Sequence, residues 1–416
     1  MQTEKLYWDD PFATAFESPE ATPSTFEGKP SIVLPRTRFY PEAGGQLGDT
    51  GVLTLSGARV IVTDTQIDAD GVIHHLVEET IASPDRSGPV TGEVDRVRRL
   101  DHMAHHTAQH MLSGALAQVA HADTVSARLG RASCTIDLEV PHVHETDLAR
   151  AEELVNAVIR DDVAIRSFFP TDAELAGLKL RRAPKVTQGI RVVDIEGFDQ
   201  SPCGGTHCTR TGQVGVVRVS ATERYKGKVR VSFHAATRAL ADARAKDSLL
   251  AALMSELTCG AGDVPSAVGK LKTDLSDARQ ALGQARAELA NLVADQALAA
   301  HPPVSGQETR IVVVRDRDDV PTLRALAGRL ASREDVIAIC VSRDAGDGQP
   351  DLALVVQRGS AAKLDCGAWL TELARAAGGR GGGRPERAEG RLPVGALHQL
   401  GAQSAARPLA EGRLSP

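Results

Sequence analysis

His106-Thr107-Ala108-Gln109-His110 and Cys203-Gly204-Gly205-Thr206-His207 are two pairs of metal-type ligands that lie about a hundred residues apart and together supply a four-donor set. The first pair falls within Met103–Ala120, where Met111, Leu112, Ala115 and Val119 recur at helical spacing. Imidazoles four residues apart on a helix share one face. The second pair needs a different backbone, because Pro202 before it and Gly204-Gly205 inside it oppose a helix and favour a tight turn. One thiolate and three imidazoles suit zinc better than calcium or magnesium, which prefer oxygen donors. Two alternatives stay open at this point. His106 and His110 can be helix-surface histidines with Cys203 a buried thiol, or the four can close a purely structural zinc site, which four protein ligands normally imply. Cys208 abuts His207, but spacing favours Cys203 as the thiolate.

Upstream of the first pair, Ser31–Leu34, Gly51–Leu55, Ala58–Thr63 and Gly88–Val94 alternate like strands separated by glycine and polar turns, which predicts a β-barrel-like unit over residues 1–95. Between and after the pairs, Leu129–Leu138 reads as extended and Thr146–Arg160 as an amphipathic helix. Ile190–Ile195, Val214–Ser220 and Lys228–Phe233 return to strand character. Residues 96–237 thus form an α+β domain around the ligands.

Over residues 238–300 the pattern changes. Val268, Leu271, Leu275, Ala278, Leu282, Ala285, Leu289 and Leu292 follow a heptad seam, and Leu240, Ala243, Leu250, Met254 and Leu257 follow a similar one broken by Asp247. Gly260-Ala261-Gly262-Asp263-Val264-Pro265 separates the two, so an antiparallel helical hairpin is expected, with a homodimeric coiled coil as its rival. Residues 306–416 read as a small α/β domain, with strands at Ile311–Val314, Val336–Val341 and Leu352–Val356 and helices at Thr322–Ser332 and Ala361–Ala377. The tract Gly378–Gly383 lacks the strand-and-helix context of a dinucleotide site and is expected to be a loop that lets backbone approach RNA.

A chain of 416 residues exceeds a single hydrophobic core. It has no run of about eighteen apolar residues and no signal-peptide core after Met1-Gln2-Thr3-Glu4-Lys5, so a cytoplasmic protein without a membrane partner is expected. Cys134, Cys259, Cys340 and Cys366 are most simply unpaired thiols of a reducing compartment. A net charge of −6 is awkward for a nucleic-acid binder. Basic clusters soften it: Arg96, Arg98 and Arg99 before the first pair, Lys179, Arg181, Arg182 and Lys185 before the second, and Arg224, Lys226, Lys228 and Arg230 after it. Any one such cluster is more often a solvated face. Arg380 and Arg384, interleaved with glycines, suit contact with a phosphate backbone. Aromatic residues make up only 3% of the chain, which excludes sequence reading by stacking on an RRM-like sheet.

Phe39-Tyr40-Pro41-Glu42-Ala43-Gly44-Gly45-Gln46, followed by Asp49 and Gly51, resembles the glycine-rich segment that opens the editing domain of alanyl-tRNA synthetase and of the AlaX editing proteins. The two ligand pairs are similar to that family's zinc motifs, Phe198-Asp199-Gln200-Ser201-Pro202 resembles AlaX in particular, and Gly378–Pro385 resembles the glycine-rich tract of the DHH-associated domain in long AlaX proteins. Ala43 departs from the family pattern, standing where relatives often carry glycine or serine. The resemblance implies an enzyme, a zinc-dependent deacylase that hydrolyses mischarged tRNA(Ala), chiefly seryl-tRNA(Ala), with glycyl-tRNA(Ala) as a second candidate. It implies one zinc ion on His106, His110, Cys203 and His207, catalytic roles for Gln46 and Asp49, and a substrate pocket with Thr37, Gly44 and Gly45, where Thr37 reads the seryl hydroxyl. An apolar pocket separates seryl from alanyl esters poorly, so a polar contact of this kind is needed. The chain begins at the editing segment, so an aminoacylating ligase is not expected; a non-catalytic tRNA-binding protein with structural zinc is the alternative.

Overall fold

The computed structural model describes residues 2–78, 89–184, 186–343 and 351–396. Gly88, Lys185 and residues 397–416 of the segments above lie outside the described residues. The chain is mixed α+β and divides into two compact units, Met1–Leu253 and Met254–Pro416.

In the first unit, seven strands form a sheet in the order Ala15–Ser18, Val90–Val94, Gly51–Leu55, Ala58–Ile67, Ile73–Val77, Lys29–Val33 and Thr22–Phe26, each paired antiparallel to its neighbours. Alternation explains it: in Val90–Val94 the three odd-numbered steps of the pattern are buried and the two between are exposed, placing Val90 and Val94 in a core with Leu53, Leu55, Ile32 and Phe39. The turn Ser56-Gly57 has φ of 49° and 84°, the positive values that a two-residue type I′ hairpin requires. Among the described residues no ladder joins the two outer strands, so the expected barrel-like unit is here a seven-stranded sheet.

Helix α1, Arg96–Ala120, starts where the Asp95 carboxylate accepts hydrogen bonds from Val97 N at 3.0 Å and Arg98 N at 3.1 Å. Nearly every side chain from Arg99 to Leu116 is buried, polar ones included, so α1 is a central helix and not an amphipathic surface one. Met103, Met111 and Leu112 pack with Ile136, Val231 and Phe233, and fully burying such a side chain contributes about 1.5–3 kcal/mol. Those partners come from a four-stranded antiparallel sheet, Thr124–Leu129, Cys134–Leu138, Lys228–Ala235 and Val217–Tyr225, and helix α2, Glu145–Asp161, adds Leu148, Ala151 and Val155. A three-stranded sheet, Ile165–Phe168, Val192–Ile195 and Asp199–Pro202, runs straight into the Cys203 turn. The short helix α3 spans Asp172–Gly177, and α4 spans Ala236–Leu257.

The second unit holds α5, Val264–Ala300, α6, Val320–Leu330, and α7, Cys366–Ala377, on a five-stranded sheet ordered Thr309–Asp316, Val336–Arg343, Asp351–Arg358, Arg387–Pro393 and Arg380–Gly383. Only the first two of these strands pair in parallel. Val336, Ala338 and Cys340 join the core containing α5 and α6, while Ile337, Ile339 and Val341 join the core containing α7. Helices on both faces are why that strand reads as an unbroken apolar run. On α5 the buried stripe is Ala290, Ala294 and Ala297. The predicted heptad leucines Leu271, Leu275, Leu282, Leu289 and Leu292 are exposed.

The expected RNA-facing loop at Gly378–Gly383 is corrected by the structure. Gly378, with φ of 71°, caps α7, and Arg380–Gly383 is the edge strand of the sheet. The glycines are there for space: a Cβ at Gly381 would lie 3.0 Å from Leu370 of α7, and one at Gly383 would lie 2.3 Å from Arg387 O.

Candidate metal centre

The two pairs converge. One donor atom from each of His106, His110, Cys203 and His207 lies within 4.8 Å of the other three, in a site where all three histidines are buried. Helix α1 presents His106 and His110 from successive turns, and the turn after Asp199–Pro202 brings Cys203 and His207 against them. Cys203 Sγ is 3.4 Å from His106 Nε2 and 3.4 Å from His207 Nε2. Gly205 permits the closure, since a Cβ there would sit 2.2 Å from the His106 ring, whereas one at Gly204 would meet open space.

A second ring of side chains faces the other nitrogen of each imidazole and comes within hydrogen-bond distance at His106 and His207. His106 Nδ1 donates to Gln46 Oε1 at 2.7 Å, which leaves the Nε2 lone pair toward Cys203. His207 Nδ1 lies 3.2 Å from Thr107 Oγ1. His110 Nδ1 lies 3.8 Å from Asp199 Oδ2, while Asp199 accepts from Arg181 Nε at 2.6 Å and from Ser201 Oγ at 2.8 Å. Burial would raise the Asp199 carboxyl, but His110 and Arg181 hold it down at about 2. Burial alone would likewise raise the Cys203 thiol, yet the three imidazoles beside it hold it well below its usual value. Both nitrogens of His110 are buried without a hydrogen-bond partner, and a bound cation at Nε2 would satisfy one of them while Asp199 faces the other. Donor chemistry, spacing and this orphaned imidazole fit a tetrahedral metal of the zinc type. Cys208 is buried outside the cluster and burial pushes its thiol up to about 11, so it stays protonated.

The N-terminal motif reaches the cluster through Gln46. This fully buried amide also donates to Thr206 Oγ1 at 2.9 Å, so it ties the first segment to both ligand pairs. Gly44 and Gly45 have φ of 60° and 90°, and a Cβ at Gly45 would strike Ala127 O at 2.5 Å. Ala43 is not among the positive-φ residues, which explains why alanine is accepted there. Asp49 is fully buried, accepts from Arg99 Nε at 3.0 Å and Tyr40 N at 2.7 Å, and thereby joins the motif to α1. Thr37 is also fully buried. His75 Nδ1 donates to Ile32 O at 2.8 Å, so His75 Nε2 is an acceptor and the Thr37 hydroxyl donates to it at 2.8 Å, while accepting from Phe39 N at 3.0 Å.

Sequence reasoning missed Thr107, Thr206, Arg191 and Trp8. Arg191 Nη1 donates to Cys203 O at 3.0 Å and Gly205 O at 2.9 Å, and Trp8 Nε1 donates to Gly204 O at 2.8 Å, so three consecutive carbonyls of the ligand turn are held from outside. The two threonines stand inside the quoted motifs, where a signal existed; Arg191 and Trp8 carry none in a single sequence. The basic clusters are partly spent internally, Arg98 on Gly48 O, Arg99 on Asp49, Arg181 on Asp199 and Arg230 on Asp137. Arg182, Arg224 and Lys226 are exposed, as are Arg380 and Arg384 in the second unit. Among the described residues no helix is long and apolar enough to cross a membrane.

Three family descriptions match the chain: tRNA synthetases class II (A) over residues 8–98, the threonyl and alanyl tRNA synthetase second additional domain over 190–232, and the DHHA1 domain over 308–404. Among curated relatives, the alanine–tRNA ligase of Methanothrix thermoacetophila is 32% identical over 95% of this chain and 43% of its own length, and that of Thermococcus kodakarensis is 31% identical over 94% and 42%. The chain therefore spans less than half the length of the curated relatives it matches. The crystal structure of the C-Ala domain from Aquifex aeolicus alanyl-tRNA synthetase matches 24% of this chain and 92% of that one at 23% identity, with a TM-score of 0.21. The chain therefore matches the threonyl and alanyl tRNA synthetase second additional domain around the Cys203 motif and the DHHA1 domain after it, and it is similar along most of its length to part of the alanine–tRNA ligases.

Proposed function

We propose that this protein is a zinc-dependent aminoacyl-tRNA deacylase that clears mischarged tRNA(Ala), chiefly of serine and secondarily of glycine. The observation that carries the reading is the convergence of His106, His110, Cys203 and His207 within 4.8 Å, in a chain related to alanine–tRNA ligases. Zinc bound there would supply polarisation of an ester carbonyl or acidification of a water. The chain's own residues do the rest. Gln46 sets the tautomer of His106, Asp199 orients His110, and Arg191 and Trp8 fix the ligand turn so that Gly204 leaves room for an acyl group beside Cys203. On this geometry Gln46 is a positioning residue, and Asp49 acts through its ion pair with Arg99. The Thr37 hydroxyl already donates its hydrogen bond to His75, so it reads a seryl hydroxyl only as an acceptor.

Four protein donors favour one other reading, a closed structural zinc site in a protein that binds tRNA without acting on it. Deacylation of seryl-, glycyl- and alanyl-tRNA(Ala) by metal-loaded and metal-stripped protein separates the two. The deacylase reading predicts metal-dependent loss of serine at a rate well above that of alanine; intact seryl-tRNA(Ala) with tight tRNA binding supports the structural one.

A further inference from the structure

In a chain poor in aromatic residues, two of the three tyrosines and one of the two tryptophans gather behind the ligand turn with Phe169. Tyr7 and Tyr40 are the buried layer, edge to face at 5.3 Å. Trp8 and Phe169 are the outer layer, also edge to face at 5.3 Å, and Phe169 is 51% exposed. Trp8 is held by Tyr7 and by its hydrogen bond to the ligand turn, but Phe169 leaves half its surface in water. The Trp8 indole is hydrogen-bonded to Gly204 O, one residue from the Cys203 ligand, and the space above Gly204 is open. Lys5 Nζ is 4.6 Å from the Trp8 ring centroid, and the exposed Arg182 donates to Pro202 O at 3.2 Å, at the start of the same ligand turn.

We propose that Trp8 and Phe169 form a stacking platform for a single unpaired nucleotide, with Lys5 and Arg182 facing its phosphate, and that this platform presents the 3′-terminal nucleoside of the substrate to the metal centre. The exposed Phe169 ring can take a base face without reading its edge, with Trp8 standing at 67° to it as a side wall, and the nearby cations match a phosphodiester and not a neutral small ester. The inference rests on the deacylase reading, in which the scissile ester hangs from that nucleoside. It also answers the charge problem of an acidic chain, because recognition at the reacting end then depends on stacking as much as on net charge.

The test uses full-length, zinc-loaded protein with Trp369→Phe, which leaves Trp8 as the single tryptophan reporter. The probe is the ribonucleotide tetramer ACCA, compared with the same tetramer whose last residue is abasic. Stacking predicts quenching of Trp8 emission by ACCA, loss of most of that quenching with the abasic probe, and about tenfold weaker binding in Phe169→Ala at unchanged zinc content. On a minimal seryl-ester substrate, Phe169→Ala should raise KM about tenfold with kcat nearly unchanged, a split that a merely structural role would not give. Equal binding of both probes, or ACCA affinity indifferent to Phe169→Ala, overturns the platform. If ACCA stacks as predicted but no seryl ester is cleaved, the platform stands and the deacylase reading fails; if the ester is cleaved with no contribution from Phe169, the reverse holds.

Discussion

The metal centre of the first unit and the glycine tract of the second were equally conspicuous in the sequence, yet they came out differently. Side chains define the first. Four donors with few alternative uses are separated by about a hundred residues, and only a fold that brings them together gives them a purpose. The second is defined by side chains that are absent. Gly379–Gly383 looks like a flexible loop, but its glycines let an edge strand and α7 approach within distances that a methyl group would forbid. A cluster of reactive side chains points to chemistry, whereas a run of glycines points to any of several backbones.

The sharpest way to break this contrast is at the ion pair that joins the N-terminal motif to α1. Arg99→Met leaves the fully buried Asp49 carboxylate without its partner, and the first unit should lose about 3–5 kcal/mol while the second unit's unfolding is unchanged. A calorimetric trace in which both units shift together would show that the two regions are not independent.

Acid should divide the units next. Burial holds His75 down at about 4 and His102 at about 3, so the unfolded chain takes up protons below its ordinary 6.5 while the folded chain does not. The first unit should therefore lose stability as pH falls from about 6.5 to about 4, by on the order of 3 kcal/mol for His75 alone. Measured by urea midpoints on metal-stripped protein, His75→Gln should flatten that slope; an unaltered slope would remove His75 from the account.

Legibility followed the same divide. Strands with strict alternation, such as Gly51–Leu55, were readable to the residue, whereas the helix that carries the first ligand pair was read correctly at its end, Ala120, but begins at Arg96 and not at Met103. Ala15–Ser18, Thr22–Phe26 and Asp199–Pro202 were not readable, because they are short and polar, and become strands only through their partners. The heptad on α5 was real as a pattern, but the helix buries its alanine stripe instead, since α6 and the sheet beneath need close approach. The Gln46 amide was visible as a motif residue, while its place behind His106 depends on a turn that no local pattern encodes.

Gln46→Ala sharpens that last point. Losing the bond to His106 Nδ1 should weaken zinc affinity about 10- to 100-fold without unfolding the protein, measured by competition with a chelator. Unchanged affinity would return Gln46 to the catalytic role that the resemblance implies. The smallest effect belongs to the tract: Gly383→Ala forces a methyl against Arg387 O, and the second unit should lose ~1–2 kcal/mol, since an edge strand can yield. A neutral or stabilising result would restore the loop.

The most direct measurement is metal stoichiometry by native mass spectrometry on the wild-type chain, Cys203→Ala and Cys208→Ala, with the cobalt-substituted spectrum as a check on thiolate ligation. The account predicts one zinc in the wild type, retained in Cys208→Ala and lost in Cys203→Ala together with the thiolate-to-cobalt band. A wild-type chain that binds no zinc, or one whose zinc survives Cys203→Ala and disappears in Cys208→Ala, would contradict it.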